Sequence, residues 1–182
     1  MPMKKILYLY STLSLIIAGN AYGADALTVT VARNQAVVQV KGIVCSFCAH
    51  GTEKALSKLS FLDKSQFGDD GVLIDIHTHR IILALQSDRK LDVAQIYRAI
   101  KKGGYDPSAM HVNLRGQVRR SGDRFLLTCP DNGQVFEISG NDVETLVDKG
   151  LIQVTGQVDT ERMSALESGQ PIPVALTSPE IN

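Results

Sequence analysis

The stretch GIVCSFCAHGTEKALSKL, residues 42–59, joins a β-like run to a helix-like run and carries two cysteines at the junction. The preceding residues QAVVQVKGIV, 35–44, alternate well enough to predict a strand. One face of the following helix is predicted from apolar and small residues at helical spacing, namely Cys48, Thr52, Ala55, Leu56 and Leu59. Cys45 and Cys48 are therefore expected at a strand-to-helix turn.

The residues that follow extend this pattern into an α+β fold. The runs VLIDIHT, 72–78, and IILALQ, 81–86, predict a β-hairpin. Asp92 is a suitable N-cap for a second helix, which the glycines at 103–104 end. A strand around 110–114 completes the order β-α-β-β-α-β.

The remainder of the chain has the pattern of a small β domain, 115–182. Turn residues separate β-type runs from one another and from a short helix-like segment at 141–150. Three strands, a helix and two strands is the order of an OB-like barrel. We expect the boundary at His111 to Leu114, where one strand can serve both parts, so that the first domain covers 24–114.

The N-terminal residues 1–23 resemble a secretory signal peptide. Lys4 and Lys5 precede a short apolar run that ends near small residues at 21–23. No later stretch approaches the roughly 20 apolar residues that a membrane span needs. We therefore expect a periplasmic protein with no membrane span, whose mature chain starts near Ala24. Its residues LTVTVAR, 27–33, are expected to add a strand beside 35–44.

The charge distribution argues against a nucleic-acid-binding protein. Residues 24–111 hold eleven Lys and Arg against nine Asp and Glu, and residues 112–182 hold six against ten. Phosphate binding needs a concentrated basic face, which neither part has. The expected partners are ions or proteins.

The cysteine pair supports several kinds of chemistry. Unpaired N–H groups at a helix start lower the pKa of nearby thiols, and thiolates both bind metals and attack disulfides. A metal clamp and a redox pair are therefore equally compatible with the local sequence, and an oxidising compartment adds a structural disulfide as a third reading. Because the chain has three cysteines, at least one stays free or binds something else.

The pattern around Cys45 and Cys48 resembles the heavy-metal-associated domain family. Gly42 matches the glycine before the family's two metal-binding cysteines, and Glu53, Ala55, Leu56 and Leu59 match its first helix. AIKKGGYDPSAM, 99–110, is similar to its second helix and Gly-Tyr loop, which places Tyr105 beside the metal. Ile43 and Val44 replace the usual Met and Thr, and Ile43 can fill the apolar position beneath the loop.

This resemblance covers roughly 35–114 and implies a ferredoxin-like sandwich that binds a soft metal through Cys45 and Cys48. Its exported members resemble the periplasmic mercury-binding protein. Two sulfurs favour Cu(I) or Hg(II) over Zn(II) or Cd(II). We expect a carrier or sensor that exchanges metal with a donor or acceptor protein and is not an enzyme. A thiol–disulfide oxidoreductase and an interaction module with a vestigial site are the alternatives.

The remaining metal-type side chains have simpler interpretations. His50 is predicted to turn away from Cys48 on the helix, as a solvated surface residue. His77 and His79 lie at the predicted hairpin tip, where a pair is a weak signal of metal binding. His111 is predicted to be structural. Cys129 is expected to be a buried apolar thiol, with an intermolecular disulfide or a third metal sulfur as alternatives.

Overall fold

The computed structural model describes residues 29–43, 46–163, 166 and 169–180, without the side chains of 46–48, 161 and 178–180. The predicted signal peptide, 1–23, and residues 44–45 lie outside this part of the chain. Within it, one eight-stranded sheet combines with a few helices. The α+β class is therefore confirmed.

The helices and strands follow one another along the chain, and the connection from α1 to β2 contains a short irregular helical turn, Phe67–Gly71. In order they are β1 (Gln35–Lys41), α1 (Ser46–Leu56), β2 (Val72–Asp75), β3 (Arg80–Ala84), α2 (Val93–Lys102), β4 (Asp106–Ser121), β5 (Arg124–Thr128), β6 (Val135–Ser139), a 3-10 turn (Val143–Leu146), β7 (Leu151–Val158), α3 (Thr160–Met163) and β8 (Ile172–Glu180).

The first half of the chain forms two layers. Its strands lie in the order β2-β3-β1-β4, and each neighbouring pair is antiparallel. Helix α1 packs on α2 and β2, and α2 packs on β4. Ala36, Val38 and Val40 alternate along β1 and are almost completely buried, which is the period expected of a strand with one face in the core.

The second half forms a closed ring of strands. The order is β4-β5-β6-β8-β7, and pairing between β4 and β7 closes the ring. Strands β6 and β8 are parallel, whereas the other pairs are antiparallel. A Cβ on Gly116 would lie 2.6 Å from the carbonyl oxygen of Thr128, so glycine permits the close approach of β4 to β5.

Strand β4 belongs to both halves. It pairs with β1 from Asp106 to Val112 and with β7 from Met110 to Gln117, and it passes residue 114 without a break. The halves therefore share backbone hydrogen bonds along one strand. The division of the chain into domains at residue 114 stays a prediction.

A second link between the halves is a buried side-chain clamp. The Gln134 amide donates to the carbonyl oxygen of Leu91 at 2.7 Å and accepts from the Leu91 N–H at 2.8 Å. Asn132 adds bonds from its side-chain amide to the carbonyl oxygens of Ser87 at 3.0 Å and Arg89 at 2.9 Å. These bonds tie the loop after β5 to the segment that leads into α2.

The strand predicted ahead of β1 is wrong for the residues that the structure describes. Residues 29–34 have no strand conformation, and Asn34 lies in a left-handed turn with φ 56°. The side-chain amide of Asn113 instead donates to the carbonyl oxygen of Val31 at 2.9 Å. This side-chain bond takes an acceptor that a strand would use in ladder pairing.

Candidate metal centre

The candidate centre lies where β1 passes into α1. Strand β1 ends at Lys41 and α1 begins at Ser46, so Gly42 and Ile43 lead directly to the cysteine pair. Cys48 belongs to the first turn of α1, while Cys45 lies outside the described residues. The helix starts between the two cysteines, as the sequence predicts.

Two residues before the pair shape the turn. Gly42 has φ 93°, a conformation that favours glycine. Ile43 is completely buried in the core. This burial agrees with the expectation that Ile43 fills the apolar position beneath the loop.

The connection from α2 to β4 flanks the same turn. Tyr105 is 4% exposed, and a Cβ on Gly42 would lie 3.6 Å from Tyr105 Cδ1, an ordinary contact distance. The Tyr105 N–H donates to the carbonyl oxygen of Ile100 at 3.2 Å, which holds the ring at the end of α2. The aromatic ring therefore packs beside Gly42.

The helices approach closely just behind the first turn of α1. Thr52 lies one turn after Cys48 and is completely buried. A Cβ on Gly103 would lie only 1.8 Å from Thr52 Oγ1, so any side chain at Gly103 would force the helices apart. Thr52 Oγ1 has no hydrogen-bond partner within the described part of the chain. The sequence pattern placed Thr52 on the buried helix face but gave no sign of its contact with Gly103.

The hairpin between β2 and β3 lies at the same end of the sheet. The carbonyl oxygen of His79 accepts from the Val40 N–H at 3.0 Å, two residues before Gly42. The Asp75 carboxylate accepts from the N–H groups of His77 at 2.9 Å and Thr78 at 3.2 Å. These bonds fix the turn, and both histidine side chains are exposed on it.

The other two histidines lie on α1 and β4. His50 is exposed, and its Nδ1 lies 3.4 Å from Glu53 Oε2 on the surface of α1. His111 is half-buried in β4, where burial, and secondarily the charge of Arg80, lowers its pKa. Across the described residues, no group of three or more His, Cys, Asp and Glu side chains is placed to hold a metal ion.

Cys129 occupies a different end of the molecule. Its N–H donates to the carbonyl oxygen of Gln134 at 2.9 Å, within the loop that clamps Leu91 ahead of α2. The turn at Gly42 instead contacts Tyr105, which follows α2. Because α2 has 10 residues, its two ends lie about 15 Å apart. Burial, with a smaller effect of Asp131, raises the pKa of the Cys129 thiol to about 11. Cys129 therefore lies beside the start of α2, about one helix length from the turn at Gly42, and this separation argues against a third sulfur from the same chain.

Comparisons with known proteins give a structural likeness for part of the chain. No family model matches the chain. No curated protein sequence matches it. Among solved structures, the chain is similar to a CopZ metallochaperone, with 23% identity, a TM-score of 0.35, and coverage of 41% of this chain and 98% of that chain. A likeness at this identity and TM-score does not establish a family.

None of the described helices is long and apolar enough to cross a membrane.

Proposed function

We propose that this protein is an exported carrier of a soft metal ion, Cu(I) or Hg(II), bound by the sulfurs of Cys45 and Cys48. The observation that carries the proposal is that α1 starts at Ser46, between the two cysteines and three residues after the buried Ile43. In this proposal the first half is a ferredoxin-like heavy-metal-associated domain and the second an OB-like barrel. The predicted signal peptide makes the periplasm the proposed location.

The chemistry of the turn suits a soft ion. The first N–H groups of α1 lack partners within the helix and favour the thiolate form of a nearby cysteine. Thiolates select soft ions, and two of them satisfy Cu(I) or Hg(II), whereas Zn(II) in a structural site takes four ligands. The cysteine pair therefore favours a low-coordinate ion.

Carriage by two sulfurs needs no catalytic group. A thiolate of a partner protein binds the metal as one cysteine sulfur leaves it, so the charge and the oxidation state of the ion are unchanged. Repeating the exchange at the second sulfur completes the transfer. The metal moves between proteins without being released to water, and we propose no enzymatic activity.

The test compares the two redox states of the mature protein. Reduced protein is expected to bind about one Cu(I) per chain, whereas protein with a Cys45–Cys48 disulfide is expected to bind none, because a disulfide has no thiolate to offer. Equilibrium dialysis with copper analysis gives the Cu(I) bound per chain in each redox state, and thiol titration on the same samples gives the number of free thiols. Reduced protein that binds no Cu(I) or Hg(II), but reduces insulin at rates comparable to a thioredoxin, would instead establish the oxidoreductase alternative.

The helix layer suggests what kind of partner receives the metal. Glu53 is the acidic residue of α1, and α2 has none. Five exposed cations lie on these helices or directly after α1, namely Lys54, Lys58, Arg98, Lys101 and Lys102. Lys101 pairs with Asp106, and the other four have no ion-pair partner among the described residues. We therefore propose an acidic protein surface as the partner.

An anionic membrane is the less suitable partner for this layer. Interfacial helices combine cations with large apolar side chains that enter the lipid. Among the described residues, the exposed large apolar side chains are Leu73 and Leu151, which lie on β2 and β7. Cys48 belongs to the first turn of α1 in this helix layer. A protein docked on the layer would therefore lie beside the metal-binding turn.

A charge-reversal experiment tests this docking face. Lys54→Glu with Arg98→Glu is expected to abolish binding to a poly-glutamate peptide at low salt, while Cu(I) binding is retained. The matched control, Arg119→Glu with Lys149→Glu, makes the same charge change on exposed residues of the barrel and is expected to keep peptide binding. Fluorescence anisotropy measures peptide binding by both variants, and peptide binding by the wild type should weaken with added salt. Equal losses in the two pairs would show a net-charge effect and no docking face.

A further inference from the structure

The turn between β5 and β6 contains the one Asn-Gly pair of the chain, Asn132–Gly133. Asparagine loses its side-chain amide most readily before glycine, because glycine has no side chain to hinder the approach of its backbone nitrogen to the amide carbon. Gly133 is exposed, and the space around its Cα is open. The reactive pair therefore lies in contact with water.

Deamidation of this pair needs only the chain itself and water. The Gly133 backbone nitrogen attacks Asn132 Cγ, so that a new N–C bond forms while the bond from Cγ to Nδ2 breaks. The side-chain nitrogen takes the proton of the Gly133 nitrogen and leaves as ammonia. Water then opens the cyclic imide at either carbonyl, which gives aspartate or isoaspartate at position 132.

The fold holds both reacting groups apart from this path. The Gly133 N–H donates to the carbonyl oxygen of Cys129 at 3.0 Å. The Asn132 side-chain oxygen accepts from the Gln134 N–H at 2.8 Å, and its nitrogen donates to two backbone carbonyls ahead of α2 at 3.0 and 2.9 Å. Attack requires these bonds to break, so the reaction waits for local opening of the turn.

The product cannot replace the amide in the clamp between the two halves. An aspartate carboxylate only accepts hydrogen bonds, so the carbonyl oxygens of Ser87 and Arg89 lose their donor. The carboxylate also sets a negative charge against these two acceptors. The Gln134 N–H keeps its acceptor, so the loss falls on the link between the halves.

We propose that Asn132 is a deamidation site, which the folded chain protects and whose conversion to aspartate or isoaspartate loosens the link between the halves. This inference does not depend on the proposed function, since no step involves the cysteine pair or a metal ion. Opening of the clamp frees the amide to react, and loss of the amide weakens the clamp. Because ammonia leaves, each conversion is permanent.

The first test compares deamidation of the mature protein in mildly alkaline buffer with and without denaturing urea. Mass spectrometry of the tryptic peptide 125–149, with fragmentation, locates the change. Deamidation at Asn132 is expected in urea and at least about 10-fold more slowly in the folded protein, where only the open fraction reacts. Equal rates in the two samples would overturn the protection, and an unchanged Asn132 in urea would overturn the site.

The second test measures the effect of the product on stability. Asn132→Asp is expected to lower the urea midpoint by about 0.5 M or more. Asn141→Asp is the matched control, because Asn141 is exposed on the same half and the chemical change is identical. Its midpoint is expected to stay at the wild-type value.

Circular dichroism follows the unfolding of both variants. Equal midpoints for the two variants would overturn the loosening of the link. An Asn132→Asp variant that fails to fold, beside an Asn141→Asp variant that folds, would be the extreme form of the expected loss.

Discussion

Cys45→Ser and Cys48→Ser are each expected to remove Cu(I) binding from the reduced protein, whereas Cys129→Ser is expected to retain it. One remaining thiolate loses the chelate, so we expect the affinity to fall by more than about 100-fold, the upper end of the effect of an outer-shell residue. Burial raises the pKa of the Cys129 thiol to about 11, and Cys129 lies beside the start of α2, away from the turn at Gly42. Chelator competition on the three variants measures the difference.

Cys129→Ser serves as the matched control because it removes one thiol from the same chain. Cys129 lies in the loop that also holds Gln134, so circular dichroism should confirm that each variant folds. Loss of binding in Cys129→Ser, with binding intact in Cys45→Ser, would show that the metal is held elsewhere. Equal binding in all three variants would mean that no cysteine is a ligand.

Gln134→Leu is expected to cause the largest loss of stability. The variant leaves the N–H and the carbonyl oxygen of Leu91 buried without their partners, which the wild type supplies at 2.8 and 2.7 Å. Each unpaired group costs about 1–3 kcal/mol, so the free energy of unfolding should fall by roughly 2–6 kcal/mol. Urea unfolding followed by circular dichroism measures this change, and metal stoichiometry in the folded variant should be unchanged.

Gln170→Leu is the control for this experiment, since Gln170 is exposed and the substitution is the same. Its stability should change by no more than about 0.5 kcal/mol. A similar small change in Gln134→Leu would show that the shared strand β4 joins the halves without help from the clamp.

Two separate unfolding transitions in the wild type would support the predicted division at residue 114, whereas a single transition would show that the halves unfold as one unit.

Much of the fold could be predicted because its signals are local. The alternation in β1 and the cap at Asp92 both act within a few residues, and the structure has β1 at Gln35–Lys41 and α2 after an Asp92 that accepts from the Gln95 N–H. The wrong prediction, a strand before β1, also came from local alternation. This strand is absent because the carbonyl oxygen of Val31 accepts a hydrogen bond from the side-chain amide of Asn113, which lies far along the chain.

The strand before the cysteine pair and the helix that follows it could be predicted from sequence alone, because periods of two and of 3.6 residues are properties of neighbouring positions. The long-range contacts behind this turn depend on the tertiary structure. Thr52 meets Gly103, Tyr105 meets Gly42 and Gln134 meets Leu91 across long stretches of chain. Such contacts depend on how helices and strands pack, and no local pattern specifies the close approach that makes Gly103 necessary or the buried backbone that Gln134 pairs.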